Sequence, residues 1–309
     1  MIIDRTIDRL IVWGSRGGIP ASGKEFSDFG HATCCIQVDT SKNNIIIDAG
    51  SGIVNLGKLI IENNDNRPID IFISHYHFDH IIGLPFFAPL FNEKYKVSIH
   101  LPLLGKNSGI FAIDKLISPP LFPMNRSIFS KNVKFKEFNV GNQINISNDI
   151  ICNSSLLNHP GSSTAFRIKG NQFDIVYASD VEANEKAEIE SIINFSKGSN
   201  YIFIDSSYTD KELSKRKGWG HLSFKQVLEV SKKIKPTEVL IFHHDFLRTD
   251  KELKLILNDI LKKSENIDSQ CSEEFVENVD SNCQESLTQI QIDEGLDDII
   301  SSLNLIKIF

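Results

Sequence analysis

The chain has 309 residues and a formal net charge of −7; 41% of the residues are apolar and 24% are charged. This is the balance of a globular protein long enough to bury a sizeable core, as one large domain or two modest ones, and the lack of any apolar run of about 18 residues argues against a membrane span. The acidity is concentrated: residues 264–309 carry eleven acidic side chains and one basic, leaving residues 1–263 at +3, with no Lys/Arg block of the kind that tracks a nucleic acid.

The first eight residues mix charges of both signs and lack the apolar stretch of a signal peptide, so a cytoplasmic location is expected. The five cysteines, Cys34, Cys35, Cys152, Cys271 and Cys283, form no CxxC pair and are odd in number. That predicts reduced, mostly buried thiols and not a disulfide framework.

Residues 9–13 predict a strand that runs into the glycine-punctuated loop Gly14-Ser15-Arg16-Gly17-Gly18-Ile19-Pro20. Residues 35–39 alternate, and 44–48 form a short apolar strand ending in Asp48-Ala49-Gly50-Ser51-Gly52. A helix is expected over 53–62, then a buried strand over 69–74 that delivers the chain into His75. Residues 102–123 carry few signals, and Ser118-Pro119-Pro120-Leu121-Phe122-Pro123 predicts an irregular loop. Strands return at 132–138, 164–168, 173–178 and 201–204, with a helix over 181–195 between the last two. Residues 224–235 have helical spacing, 238–242 form an apolar strand leading into His243, and 251–263 form an amphipathic helix. Strands and helices mix without strict alternation, and no close internal repeat is present. Residues 1–263 read as one domain and the polar, acidic 264–288 as an insertion or linker. Residues 289–309 read as completing the same domain, since 288–292 alternate as a strand does.

The central signal is Ser74-His75-Tyr76-His77-Phe78-Asp79-His80. A metal site needs neutral imidazoles and carboxylates converging within about 2.0–2.2 Å of the ion. Four candidate ligands in six residues, directly after an apolar strand that holds the loop, supply that density. Three of only nine histidines fall in this stretch, which is a poor match to a solvated His-rich loop.

The pattern His75-x-His77-x-Asp79-His80 resembles the HxHxDH signature of the metallo-β-lactamase superfamily. Its remaining motifs have counterparts in the same order: His159 in Asn158-His159-Pro160-Gly161, Asp180 closing Tyr177-Ala178-Ser179-Asp180, and His243 in Phe242-His243-His244-Asp245. The resemblance implies an α+β fold, a four-layer αββα sandwich of two mixed sheets flanked by helices. It also implies a site for two divalent metal ions, Zn²⁺ or Mn²⁺ by ligand type. One ion would take His75, His77 and His159, the other Asp79, His80 and His243, with Asp180 bridging; His244 is an alternative to His243. Two such ions about 3.5–4 Å apart lower the pKa of a shared water, and so supply hydroxide for attack on phosphorus or an acyl carbon.

Within that superfamily, members with redox di-iron sites usually carry Glu where this chain has His77, and lactamases proper usually carry a signal peptide. Gly218-Trp219-Gly220-His221-Leu222-Ser223-Phe224 resembles the Gly-His-Ser/Thr stretch of the phosphodiesterase branch, which includes the tRNase Z enzymes, although Leu222 departs from the usual Ser or Thr. The resemblance gives catalytic roles to Asp79 and His221. The glycine loop, His80-Ile81-Ile82-Gly83-Leu84-Pro85-Phe86-Phe87-Ala88-Pro89, the 118–123 run and His243-His244-Asp245 are similar to a bacterial subgroup that includes cyclic-nucleotide phosphodiesterases. The expected activity is therefore hydrolysis of a small phosphodiester, foremost a 3′,5′-cyclic nucleotide. Alternatives are a tRNA 3′-end endoribonuclease, a cyclic ribose-phosphate phosphodiesterase, and a catalytically silent metal-binding interaction module. His159 and Asp180 stand too close in sequence for the long arm that tRNA-processing members often carry there, and an acidic tail repels a polyanion, so a nucleic-acid partner is not expected. The resemblance also implies a homodimer; the lack of a long apolar run leaves no membrane partner expected.

Overall fold

The computed structural model describes residues 2–5, 8–105, 109–234, 236–259 and 306–308. Among the described residues, fourteen strands form two seven-stranded sheets. The first contains β1 (Ile2–Arg5), β2 (Asp8–Gly14), β3 (Cys35–Asp39), β4 (Asn44–Ile47), β5 (Ile69–Phe72), β6 (Val97–Pro102) and β7 (Val133–Phe138), side by side in that order. The second contains β8 (Ile144–Asn145), β9 (Ile151–Leu157), β10 (Ser163–Lys169), β11 (Asp174–Ala178), β12 (Tyr201–Asp205), β13 (Glu238–Phe242) and β14 (Ile306–Ile308). Both sheets are mixed in the same way. Three antiparallel pairs lead into three parallel ones, β4–β5–β6–β7 in the first sheet and β11–β12–β13–β14 in the second.

The helices are α1 (Ile53–Glu62), α2 (Phe78–Ile81), α3 (Gly109–Leu116), α4 (Lys186–Ser196), α5 (Asp210–Leu213) and α6 (Phe224–Ile234), and residues 250–259 are helical as well. Three apolar clusters define four layers. Ile36, Val38, Ile45, Ile47 and Phe72 meet Phe166, Ile175, Tyr177, Phe203 and Leu240 between the sheets. Ile53, Leu56 and Ile60 of α1 and Ile113 of α3 cover the other face of the first sheet. Ile189, Ile192 and Ile193 of α4 and Val227 and Val230 of α6 cover that of the second. The architecture is the αββα sandwich. Because the central strands are buried on both faces, they read as unbroken apolar runs.

The strand and helix boundaries follow the sequence reading closely over β3, α1, α6 and β13, and the differences have identifiable causes. β6 escapes the periodicity because its residues are almost all buried and it closes on Pro102. β9 escapes it because Asn153, Ser154 and Ser155 lie in its middle. Residues 102–123 are not wholly irregular: α3 occupies Gly109–Leu116 despite starting at a glycine, and the Ser-Pro-Pro run that follows is the loop expected. The helix expected from 181 begins at Lys186, where Glu185 and Glu188 form a reciprocal capping box. The residues before it are released for the site. The described cysteines, Cys34, Cys35 and Cys152, are free and buried. No helix among the described residues is long and apolar enough to cross a membrane. Residues 264–288 and the strand expected at 288–292 lie outside the described residues.

Candidate metal centre

Parallel strands within each sheet bring their carboxyl ends to one edge, where an open αβ arrangement leaves its crevice. The chain leaves β5 at Phe72 and carries His75 and His77 into α2, which presents Asp79 and His80. His159 follows β9, Asp180 follows β11, and His243 follows β13 directly. All seven residues singled out as ligands are brought together there. His159 Nε2 lies 3.0 Å from His77 Nδ1, and the His75 and His159 rings are 4.9 Å apart. On the other side, Asp79 Oδ2 is 3.4 Å from His80 Nε2 and 3.1 Å from His243 Nε2. Asp180 stands between the two groups. Its Oδ1 is 3.9 Å from His75 Nε2, 3.8 Å from His159 Nε2 and 3.2 Å from His243 Nε2, and its Oδ2 is 3.1 Å from His80 Nε2. His244 does not join them; its ring packs edge-on to Phe29.

Packing fixes this geometry tightly. Asp48, Asp180 and His243 all adopt left-handed backbone conformations just past a strand end (φ 61°, 58° and 59°), a cost that non-glycine residues bear chiefly at functional sites. Buried Asp48 accepts hydrogen bonds from Ser74 N, Ser74 Oγ and Tyr177 Oη at 2.7–2.8 Å. The same carboxylate is 2.7 Å from His80 Nδ1, so in the neutral, ligating form of His80 Nδ1 carries the hydrogen and the Nε2 lone pair faces the centre. The glycine loop closes the other side. Gly18 N–H donates to Asp79 Oδ2 at 2.7 Å, and a Cβ on Gly17 would sit 2.2 Å from the His243 ring, so only glycine fits. Fully buried Arg16 clamps the loop by donating to the carbonyls of Gly30 and Arg248 and pairing with Asp250.

Do these residues fit a pair of divalent ions? Burial drives His75 and His159 toward the neutral form, which is the ligating form of imidazole. The Nε2 atom of His75 is buried without a hydrogen-bond partner, and buried polar atoms rarely go unpaired without a reason. Asp79 and Asp180 are held ionised: burial opposes it, but the surrounding imidazoles outweigh burial and push both carboxyl groups well below their ordinary range. For His243 the balance is reversed. Burial disfavours the cation, yet Asp180 and Asp79 raise its pKa to about 9; His80 is raised in the same way. The cluster favours positive charge, and a divalent ion would compete there with protons. The donor set fits such ions.

A pH dependence follows. Below about pH 9 the His243 proton must leave before an ion can bind, so the affinity for the ion near Asp79, His80 and His243 should rise by about tenfold per pH unit for each proton displaced. Calorimetric titration with Zn²⁺ in buffers of different ionisation enthalpy should show proton release at pH 7 that falls as the pH rises through about 9, where His243 has lost its proton. Proton release that does not change with pH would contradict the assignment.

The family model described as the beta-lactamase superfamily domain matches residues 43–244. This chain belongs to the metallo-β-lactamase superfamily. Among solved structures it is similar to the metallo-β-lactamase fold protein YhfI from Bacillus subtilis, with 19% identity and a TM-score of 0.60 over 80% of this chain and 90% of that one. It is also similar to the short form of human tRNase Z (14% identity, TM-score 0.57, 77% of this chain and 93% of that one). A third likeness is to yeast PDE1 (16% identity, TM-score 0.56, 84% and 95%). No curated protein matches the chain by sequence.

Three further residues of this superfamily member stand against the candidate site although sequence reasoning passed over them. Asp48 orients His80. Asp205, ending β12, lies 2.7 Å from His221 Nδ1 and accepts from Ser207 N and Ser207 Oγ. Cys34, read as a core thiol, stands with Asp79, His80 and His243, their ligand atoms all within 4.8 Å of one another; it donates to the Arg16 carbonyl at 3.3 Å. The two carboxylates shared a signal with Asp180, since each ends or directly follows an apolar strand. His221 itself stacks on His243 with ring centroids 4.9 Å apart and lies 5.7 Å from the His159 ring.

Proposed function

We propose that this protein is a dinuclear metal-dependent phosphodiesterase acting on a small phosphodiester, foremost a 3′,5′-cyclic nucleotide. The observation that carries the reading is the placement of a carboxylate-backed histidine, His221 with Asp205, at the edge of a seven-residue ligand cluster. In this reading His75, His77 and His159 hold one ion, Asp79, His80 and His243 hold the other, and Asp180 serves both. Zn²⁺ suits the imidazole-rich set, with Mn²⁺ as the second choice. Bound ions supply an activated water and offset the charge that builds on the phosphoryl oxygens.

The protein's own groups do the rest. Asp205 is fully buried and accepts the Nδ1 hydrogen of His221, so Nε2 is the atom turned to the substrate. Burial disfavours the imidazolium, but Asp205 outweighs it and raises the His221 pKa. A histidine that keeps its proton near neutral pH is suited to protonate a departing ribose oxygen. Asp79, capped by Gly18 N–H, keeps a fixed orientation toward both the centre and His243.

Substrate size is supported by the interval between His159 and Asp180. It is filled by the antiparallel pair β10–β11, which leaves no length for an extended arm. Purified protein loaded with Zn²⁺ or Mn²⁺ should hydrolyse bis(p-nitrophenyl) phosphate and 3′,5′-cyclic nucleotides, with products resolved by chromatography, and should not cut the 3′ trailer of precursor tRNA. Efficient tRNA cleavage without cyclic-nucleotide turnover would reverse the ranking. No turnover of any diester by protein carrying two ions would favour a silent binding module.

A further inference from the structure

We propose that the loop before His221 is a nucleotide subsite, in which Trp219 is the platform for a nucleobase and Arg216 is the cation for the phosphate charge that accompanies it. The inference rests on the phosphodiesterase reading for its catalytic meaning, and its test is a binding measurement.

The loop is built against the metal centre. Gly218 and Gly220 N–H groups donate to the two carboxylate oxygens of Glu182 at 2.7 and 2.9 Å, and both glycines have positive φ. The Gly220 carbonyl is 2.9 Å from His159 Nδ1, and a Cβ on Gly220 would lie 2.0 Å from that atom. Trp219, between these two anchored positions, is therefore held beside a candidate metal ligand and two residues before His221. Trp219 is nonetheless 59% exposed. Trp13, the other tryptophan, is partly buried and donates its Nε1–H to Gln37. A rigid backbone that presents a large aromatic ring to solvent, in a loop anchored to a candidate metal ligand, is arranged to receive something flat and apolar.

Arg216 supplies the second half. Its Cζ lies 4.7 Å from the Tyr208 ring centroid and 5.7 Å from that of Trp219, within cation–π range of both. Tyr208 in turn stands edge-on to His221, with ring centroids 5.4 Å apart. The guanidinium forms no ion pair among the described residues, and its Nη1 is buried without a hydrogen-bond partner. A desolvated guanidinium N–H lacking an acceptor is costly unless a ligand completes it. Lys215 and Lys217 flank it, both exposed. The run of three cations is too short to form a nucleic-acid track, but it matches one or two phosphates. An aromatic face joined to a cation cluster is the combination that binds bases and their phosphates. A bare sugar phosphate would use only the cations.

Calorimetry on the full-length, metal-loaded protein tests this with AMP and ribose 5-phosphate as inert probes. Wild type should bind AMP the more tightly. Trp219→Ala should weaken AMP by about tenfold, the usual contribution of one stacked base, with ribose 5-phosphate unchanged, and Trp219→Phe should recover most of the AMP affinity. Arg216→Ala should weaken both probes. Equal binding of the two probes by wild type, no measurable AMP binding at millimolar concentration, or equal weakening of both by Trp219→Ala would overturn the subsite. The last outcome would be expected if the loop is a protein-docking surface or a structural brace. Turnover of bis(p-nitrophenyl) phosphate by the same wild-type preparation separates the two readings. Base discrimination without turnover removes the hydrolase and keeps the subsite; turnover without discrimination does the reverse.

Discussion

Replacing Asp180 with Ala should reduce the metal content below two ions per chain and cut phosphodiester hydrolysis by at least about 10²–10³-fold. Among the described residues no other side chain reaches both ligand groups through different oxygens: Oδ1 faces His75, His159 and His243, and Oδ2 faces His80. Its removal takes an anion from among these imidazoles, so the positive charge of bound ions is no longer offset where it is greatest. Asp180→Asn keeps the shape and the Ser179 hydrogen bond while losing the charge, and should fall between the two. Elemental analysis and turnover of bis(p-nitrophenyl) phosphate, measured on the same samples, decide the matter. Two ions per chain and near-normal turnover in Asp180→Ala would remove the bridging role.

His221→Ala should leave both ions in place, because His221 lies at the edge of the ligand cluster with its Nδ1 committed to Asp205. Its effect should depend on the leaving group. The ribose alkoxide of a cyclic nucleotide leaves poorly without a proton, and a positioned general acid contributes about 10²–10⁴-fold; a nitrophenolate leaves readily without one. Cyclic-nucleotide hydrolysis should therefore collapse while release of p-nitrophenol from an activated diester falls far less. Asp205→Asn should reproduce the asymmetry in weaker form, since an amide can still orient the ring but does not hold its proton. Misfolding or metal loss would depress both reactions together, so the ratio reports the proton transfer. Equal slowing of both substrates at unchanged metal content would recast His221 as an electrostatic phosphate ligand.

The candidate ligands that were legible in the sequence share a feature. His75, Asp180 and His243 each follow an apolar strand, and the density of His75, His77, Asp79 and His80 within one short loop has few structural explanations other than a metal. Asp48 and Asp205 stood in equally marked places, yet a carboxylate at a strand end says nothing about which imidazole it will hold until the neighbouring strand is known. Trp219 shows the same limit from another direction. In the sequence it is one tryptophan in a glycine-rich stretch, and only its exposure beside Arg216, in a loop anchored to His159, gives it a task.

What the sequence by itself determined is local: the apolar strands and amphipathic helices, whose periodicity reflects which faces are buried, and the HxHxDH loop, whose ligands are neighbours in the chain. What only the tertiary structure decided is convergence. His243 and Asp79 are separated by 164 positions and stand 3.1 Å apart; His159 and His77 are separated by 82 and stand 3.0 Å apart. Those contacts exist because two mixed sheets pack through a shared apolar layer with the carboxyl ends of their parallel strands at one edge. Strand order and sheet packing are non-local, and no periodicity within a single strand encodes which other strand will lie opposite it.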